Sequence, residues 1–454
     1  MAQFLPAGSA GEIGASCFYL NIDGTGVVLD SGTHPRKEGI CALPQFDLFK
    51  DLPVDFGIIS HAHQDHLGSL PFLVRRHPYI RLFATPQTRA IAELTLHDAV
   101  SILQGQFKDD DPVRPYTHEE IDLLTQSILT RPYGEAFPIE GLRQRSSVPL
   151  NATFFDAGHI LGSAGILIEQ NGSRIFFTGD VNLDAQTLLP GASLPNGTVD
   201  VLVLESTLGA TDSSTIPSWG VEAGRLAKRA NDVLEEGGSI LMPVFALGKM
   251  QEMLALVWQL MERGRLPRVP VYTGGIGWKI NRLYDQYRYA VPRVDGEFEL
   301  AAVPQENIFK AERVEECFRK PCIVLASSGM MIEGTMSFKL AKRWLMIKRN
   351  AIFTVGYMDP LTPGYRVLMA ERGSRIQLTD FEDLQTVKCS IERFRFTAHA
   401  KREGLLEVVR RLRPKRVVLV HGDESAVDWM GYSILASFPG TKVHVAETGK
   451  VIEI

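Results

Sequence analysis

Residues 55–66 read DFGIISHAHQDH, and the rest of the chain is best read outward from here. DFGIIS is a short apolar run of the kind a buried strand makes, and it stops directly on a loop with three histidines and an aspartate. In extended backbone, side chains two apart point the same way, so His61 and His63 aim together while Asp65 and His66 can turn to a second point. Imidazole with carboxylate suits zinc, and less selectively manganese or iron. A lone loop histidine is usually just hydrogen-bonded, but HxHxDH after an apolar strand is a layout for two metals.

The same pattern recurs along the chain, with a polar residue closing an apolar run. Asp30 ends VVLDSG, His159 ends FFDAGH, Asp180 ends RIFFTGD and His421 ends VVLVHG. Each would pass singly as a cap or turn residue, but together with HAHQDH they mark strand ends that gather functional groups. FYLNI, DGTG and VVLDSG predict a hairpin, and QTRAIAELTLHDAVSIL predicts an amphipathic helix. After Ser206 strands and helices alternate: a helix at 221–236, SILMPVF, a helix from Lys249 to Arg263, VPVYTG, CIVLASS and EGTMSFKLAKRWL. That rhythm predicts a parallel, doubly wound α/β unit. The expected domains are 1–206, an inserted 207–390, and 391–454 returning to the first domain through FRFTAHA, RVVLVHG and KVHVAET. The acidic run at 108–111 reads as a solvated loop.

At 454 residues the chain has room for two or three domains, and 45% hydrophobic with 22% charged residues is a globular composition. Against 53 acidic side chains stand 48 basic ones, a net charge of -5, so a polyanion would be held by a local basic patch or a metal rather than by overall field. Without a basic and apolar leader or a long apolar run, a cytoplasmic protein with no membrane partner is expected. Cys17, Cys41, Cys317, Cys322 and Cys389, with no CxxC pair, read as reduced core thiols.

HAHQDH, LDSG, DAGHILGSAG and FTGD resemble, in order, the four motifs of the metallo-β-lactamase superfamily. LESTLG, FTAHAKREGL and LVHGDE resemble the extra motifs of its β-CASP branch, and PVFALGKMQE, VLASSGMMIEG and FTVGYMDPLTPG resemble that branch's insertion. The resemblance covers nearly the whole chain. It implies an αββα sandwich with an inserted parallel doubly wound β-CASP domain. It also implies two zinc ions per chain: His61, His63 and His159 on one, Asp65, His66 and His421 on the other, and Asp180 bridging. Asp30 would orient the ligand loop from behind, and Glu205 would pair with His399 near the leaving group. Histidine at 421 is similar to the RNA-processing members, such as the endonuclease subunit of pre-mRNA cleavage and its short prokaryotic relatives. The chain ends too soon after His421 for the further domain of ribonuclease J to be expected.

The implied activity is endonucleolytic hydrolysis of RNA phosphodiester bonds. Two cations ~3.5–4 Å apart can yield a bridging hydroxide at neutral pH and neutralise phosphoryl charge. His399 would act as general acid toward the leaving 3′-oxygen. Ser327, Ser328 and Gly329, after CIVLA and read as opening a helix, are candidate phosphate-binding residues. The basic run 401–416 reads first as a solvated helix face and second as an RNA contact. STLGATDSS, YTGGIGWK, TPGYR and Lys401 depart from the family's usual letters on the substrate side. The alternatives are a lactonase- or thioesterase-type hydrolase, against which the large insertion argues, and a non-catalytic RNA-binding subunit, against which the full ligand set argues. The expected partner is single-stranded RNA, with a homodimer also compatible.

Overall fold

The computed structural model describes residues 2–107, 113–139 and 149–454, so the loop expected at 108–111 lies outside the described residues. Its alternating apolar pattern builds two seven-stranded sheets. The first runs Ile452–Glu453, Ala2–Gly8, Cys17–Ile22, Thr25–Leu29, Phe56–Ile58, Arg81–Ala84 and Leu129–Thr130. The second runs Lys442–Val445, Arg416–Val420, Val201–Glu205, Ser173–Phe177, Ala164–Gln170, Leu150–Asp156 and Ala136–Ile139. Alternation sorts the side chains. Phe18, Leu20, Val27, Leu29, Phe56 and Ile58 meet Phe154, Ile166, Ile175, Phe177, Val201 and Val203 in one core between the sheets. The odd-face partners Leu202, Leu204, Val417 and Leu419 pack instead against Leu405, Val408, Val427 and Met430 of the helices Arg402–Leu412 and Glu424–Ser437. Helices Pro86–Gln106 and His118–Ser127 bury Ile91, Leu96, Val100 and Ile121.

Two compact units emerge. One comprises Met1–Asp184, Gly191–Thr215 and Ala398–Ile454, and the other Ala185–Pro190 with Ile216–Thr397. The second unit holds a six-stranded sheet in the order Gln305–Asn307, Val271–Thr273, Ile323–Ala326, Ile240–Pro243, Ala351–Thr354 and Ser390–Arg393. Every pair in it is parallel. The strand Ile240–Pro243 is followed by a crossover to one side and Ala351–Thr354 by one to the other, which is a doubly wound arrangement. Ala185–Pro190 joins this unit because the buried carboxylate of Glu252 accepts the amides of Thr187, Leu188 and Leu189 at 2.7, 2.8 and 3.3 Å.

Three local expectations change. Cys41 is exposed, so only four of the five thiols belong to cores. The residues FRFTAHA are not a strand: the pairing stops at Arg393, where the ladder with Ala351–Thr354 ends, and His399 follows on irregular backbone. Ser327–Gly329 do not open a helix. Met331 and Gly334 turn the chain at φ of 52° and 83°, and the helix starts at Met336. At the start of its helix, Lys249 is buried and donates to Phe396 O at 2.7 Å. Among the described residues no helix is long and apolar enough to cross a membrane.

Candidate metal centre

All the strand ends singled out above fall in the first unit. Asp30 follows Thr25–Leu29, His61 follows Phe56–Ile58, His159 follows Leu150–Asp156, Asp180 follows Ser173–Phe177, Glu205 closes Val201–Glu205, and His421 follows Arg416–Val420. Three donor groups result: His61, His63, His159 and Asp180; Asp65, His66 and His421; and Asp180, Glu205 and His399.

The first group is nearly regular. His63 Nδ1 lies 3.1 Å from both His61 Nε2 and His159 Nε2, and Asp180 Oδ2 lies 3.6 Å from each of those two nitrogens. Donors on a tetrahedron with bonds of ~2.0–2.2 Å are ~3.3–3.6 Å apart, so this spacing fits one small cation. The other oxygen of the same carboxylate belongs to the second group. Asp180 Oδ1 is 3.3 Å from His66 Nε2 and 3.8 Å from His421 Nε2, and Asp65 Oδ2 is 3.8 Å from both nitrogens. His66 Nε2 and Asp180 Oδ1 are buried and complete no hydrogen bond. Buried polar atoms are rarely left so, and here they line the space a cation would fill.

The proton positions follow from the outer partners. A carboxylate only accepts, so His66 Nδ1 donates to Asp30 Oδ2 at 2.8 Å, and Ser60 Oγ donates to the same oxygen at 2.7 Å. With that hydroxyl committed, His61 Nδ1 donates to Ser60 Oγ at 3.0 Å. His159 Nδ1 donates to Ala398 O at 2.7 Å. These three rings therefore turn Nε2 inward, the nitrogen a metal would take; on His66, where burial opposes the charged form but Asp180 and Asp65 outweigh it, binding would displace the Nε2 proton. His421 Nδ1 meets the hydroxyls of Ser9 and Ser16 at 3.2 and 3.0 Å. Burial, then the charge of His66, holds His61 well below the usual imidazole range; burial, then His399, does the same for His159. Burial also raises the Asp180 carboxyl, but His66, His421 and His399 outweigh it and hold it well below the usual range.

Asp30 also takes the amide of Ser60 at 2.7 Å. It and His421 are non-glycine residues at left-handed φ, 60° and 49°, a conformation kept where surrounding contacts over-determine it. The ligand loop is pinned through backbone: Ser31 N donates to His66 O at 2.8 Å and Ser16 N to Asp65 O at 2.9 Å. Gly32 allows this approach, since a Cβ there would sit 1.7 Å from Asp65 O.

His399 stands apart. Its side chain is 23% exposed, against 3% or less for His61, His66, His159 and His421, so it is open to a substrate. Nδ1 donates to Glu205 Oε1 at 3.2 Å, and Glu205 is itself fixed by the amides of Val181 and Thr207 at 3.0 Å each. Burial lowers the His399 imidazole, but Glu205 and then Asp180 push it up to about 9. Ser60, Ser9, Ser16 and Ala398 escape sequence reading, because serine hydroxyls and backbone carbonyls carry no spacing signal.

Ser327, Ser328 and Gly329 lie in the second unit at the end of Ile323–Ala326. Ser328 Oγ accepts from Ile332 N at 2.9 Å, and Ser337 Oγ donates to Ser328 O at 2.7 Å, so these groups also stabilise their own turn. In the basic run, Arg410 and Arg411 pair with Glu407 and Arg402 pairs with Asp212.

Comparison with known proteins gives three family matches. Residues 10–209 match the metallo-beta-lactamase superfamily, 250–367 the Beta-Casp domain, and 385–446 the Zn-dependent metallo-hydrolase RNA specificity domain. The chain is 32% identical over 448 residues to cleavage and polyadenylation specificity factor subunit 3 of Dictyostelium discoideum, covering 96% of this chain and 55% of that one. It is 31% identical to the endoribonuclease ysh1 of Emericella nidulans, covering 93% and 50%. The chain thus spans about half the length of these relatives. A protein of unknown function from Enterococcus faecalis V583 aligns over 100% of both chains with a TM-score of 0.60 at 13% identity, a likeness of fold.

Proposed function

We propose, for a chain that belongs to the metallo-β-lactamase superfamily and carries its Beta-Casp and RNA-specificity segments, hydrolysis of phosphodiester bonds within single-stranded RNA. The observation that carries this reading is the pair of largely buried donor sets that meet at Asp180, with imidazoles whose Nδ1 is held from outside and whose Nε2 faces inward. The names of the relatives, an endoribonuclease and a cleavage factor subunit, support RNA as the substrate class.

His61, His63, His159 and Asp180 Oδ2 would hold one zinc, and Asp65, His66, His421 and Asp180 Oδ1 a second, with manganese or iron as the metals the same donors would next accept. When bound, the metals supply Lewis acidity toward the phosphoryl oxygens and a water activated for attack near neutral pH. The protein does the rest. Asp30 locks Ser60 and His66, and through them the ligand loop. Glu205 keeps the Nδ1 proton of His399 and stabilises its positive form. The Nε2 proton of that imidazolium is the one delivered to the departing 3′-oxygen, a step worth ~10²–10⁴ in rate. Ser327, Ser328 and Gly329 are proposed to touch the RNA backbone.

The test is a circular single-stranded RNA incubated with protein of measured metal content. Opening of the circle, with 5′-phosphate and 3′-hydroxyl ends and about two zinc per chain, is the expected result. No opening by metal-replete protein, faster cutting of DNA, 2′,3′-cyclic phosphate ends, or full activity with one metal would each overturn it.

A further inference from the structure

Lys249 is the first residue of the helix Lys249–Glu262 and is buried. Both facts count against an ammonium group there, because burial removes its hydration and a helix N-terminus is the end that favours negative charge. Burial accordingly pushes the Lys249 ammonium down, and Glu252 opposes the shift. What the group touches explains its presence. Its Nζ donates to Phe396 O at 2.7 Å and lies over the Trp219 ring, 5.2 Å from the centre. Trp219 in turn meets the Phe396 ring edge-on at 4.8 Å and gives its Nε1 hydrogen to Thr187 Oγ1 at 3.0 Å. Lys249, Trp219, Thr187 and Phe396 all belong to the second unit, so Phe396 is gripped there by its carbonyl and its ring alike.

From Phe396 the chain runs directly to His399. Ala398 O, two residues on, accepts from His159 Nδ1 at 2.7 Å, and the Ala400 amide, two further, donates to Val181 O at 2.6 Å. Every second residue from 396 to 400 is thus held by a backbone group, on a stretch that is neither helix nor strand. These bonds do for the segment what a sheet ladder would otherwise do. Of the three, the one from Lys249 is charge-assisted, a class roughly twice as strong as neutral pairs. His399 stands three residues beyond it, with Nδ1 on Glu205 Oε1 at 3.2 Å.

We propose that Lys249 is a positioning residue for the proton donor: by fixing Phe396 O it fixes the course of residues 397–399 and so the aim of the His399 ring. The assignment rests on the RNA-hydrolase reading, in which His399 protonates the departing 3′-oxygen. Misplacing a reacting group by ~1 Å can cost ~10²-fold in rate, so a hold three residues away has a measurable effect. Lys249 is not among the metal-donor groups, and its loss acts on proton delivery and not on metal binding.

The experiment uses the zinc-loaded full chain and two substrates: single-stranded RNA, and a nucleoside 5′-(4-nitrophenyl) phosphate, whose leaving nitrophenolate needs little protonation. Lys249→Met, which removes the charge at similar length, should lower kcat on RNA by ~10–100-fold with KM nearly unchanged, and should recover to within a few-fold of wild type on the nitrophenyl ester. Lys249→Arg, which keeps a charged donor, should regain most of the loss on RNA. Zinc content, read in the same samples, should equal wild type throughout. Methionine leaves the Glu252 carboxylate without its ammonium neighbour, so Lys249→Met combined with Glu252→Gln takes the place of the single variant if that one does not fold. Hydrogen exchange at the Ala400 amide gives a reading that needs no substrate, and it should quicken with methionine but not with arginine. If His399→Ala recovers on the nitrophenyl ester but Lys249→Met slows both substrates alike, slows neither, sheds zinc or leaves the Ala400 amide unchanged, the positioning role is overturned and the RNA reading stands. If wild type cuts no RNA, or His399→Ala gains nothing on the ester, the RNA reading fails first and the role of Lys249 with it.

Discussion

His421 and His399 lie at similar distances from Asp180, 3.8 Å from Oδ1 and 4.0 Å from Oδ2, but their rings are turned to different work. His421 presents Nε2 to the carboxylates and rests Nδ1 on Ser9 and Ser16, whereas His399 gives Nδ1 to Glu205. His421→Ala should therefore lose metal, by ~10–100-fold or more in affinity, read by elemental analysis and by competition with a chelator. His399→Ala should keep its metal while turnover falls ~10²–10⁴-fold, and should recover on a substrate whose leaving oxygen needs no proton. Loss of metal in His399→Ala, or no recovery, would move that residue among the ligands. Asp156 offers a test in stability instead. Burial pushes its carboxyl up to about 6, against the opposing amide of Gly158. A folded pKa above the unfolded ~3.9 means the native state holds the proton more firmly, so this stability is full below pH ~4 and lost as pH rises through 6. Asp156→Asn should thus raise the thermal midpoint at pH ~8, by the equivalent of about 3 kcal/mol, and leave it near wild type at pH ~4. At this scale the residues that aim at the centre are legible in sequence because they interrupt apolar runs. Those that aim them, Ser60 above all, are not, since a serine before a histidine says nothing of the aspartate thirty residues earlier that takes both its amide and its hydroxyl.

Strands announce themselves better than loops and helix ends. The apolar runs of Cys17–Ile22, Leu150–Asp156 and Val201–Glu205 can be read directly, and in Val201–Glu205 the run is unbroken because both faces are buried. The helix His118–Ser127 is quieter: its signal is the Thr117–Glu120 capping box, in which each side chain takes the other's amide, at 3.3 and 2.8 Å. The start of Met336–Trp344 is obscured by the tempting serines at 327 and 328, while the residue that precedes it is Thr335. Glu252, on Lys249–Glu262, shows how one charge can hold an element that sequence reading assigns elsewhere. It binds the amides of Thr187, Leu188 and Leu189, all three in the segment before Gly191. Burial pushes its carboxyl up, and neighbouring Lys249 acts against that rise. Glu252→Ala should cost about 3–5 kcal/mol in denaturant unfolding, because it strands buried amides and a buried ammonium together; Glu252→Gln, which keeps an acceptor, should cost less. Equal costs would show that the negative charge, which both variants remove, and not an acceptor or volume, is what that position supplies.

Every donor of the candidate centre comes from one of the two compact units. A ligand that binds only the folded form stabilises it by RT ln(1 + [L]/Kd), so metal should act on that unit's unfolding and not on the other's. Calorimetry of chelated and metal-loaded protein is expected to show one transition displaced and one fixed; displacement of both would mean the units unfold as one. That the chain comes back to the first unit is legible from RVVLVHG and KVHVAET, which need partners, though the return falls at Ala398; the excursion of Ala185–Pro190 into the second unit is not legible, since it depends on Glu252 more than sixty residues later. The discontinuous first unit has a consequence during synthesis. Translation runs from the N-terminus at ~5–20 residues per second, and domains fold as their last residues emerge. The segment Ile216–Thr397 is therefore out while the second sheet still lacks Arg416–Val420 and Lys442–Val445. At that moment His61, His63, His159 and Asp180 are out, but His399 and His421 have not yet emerged to join them. On the RNA-hydrolase reading proposed above, a chain completed in this order would gain activity only at the end of its own translation, and the transcript on the ribosome would be spared by the order in which the chain is written.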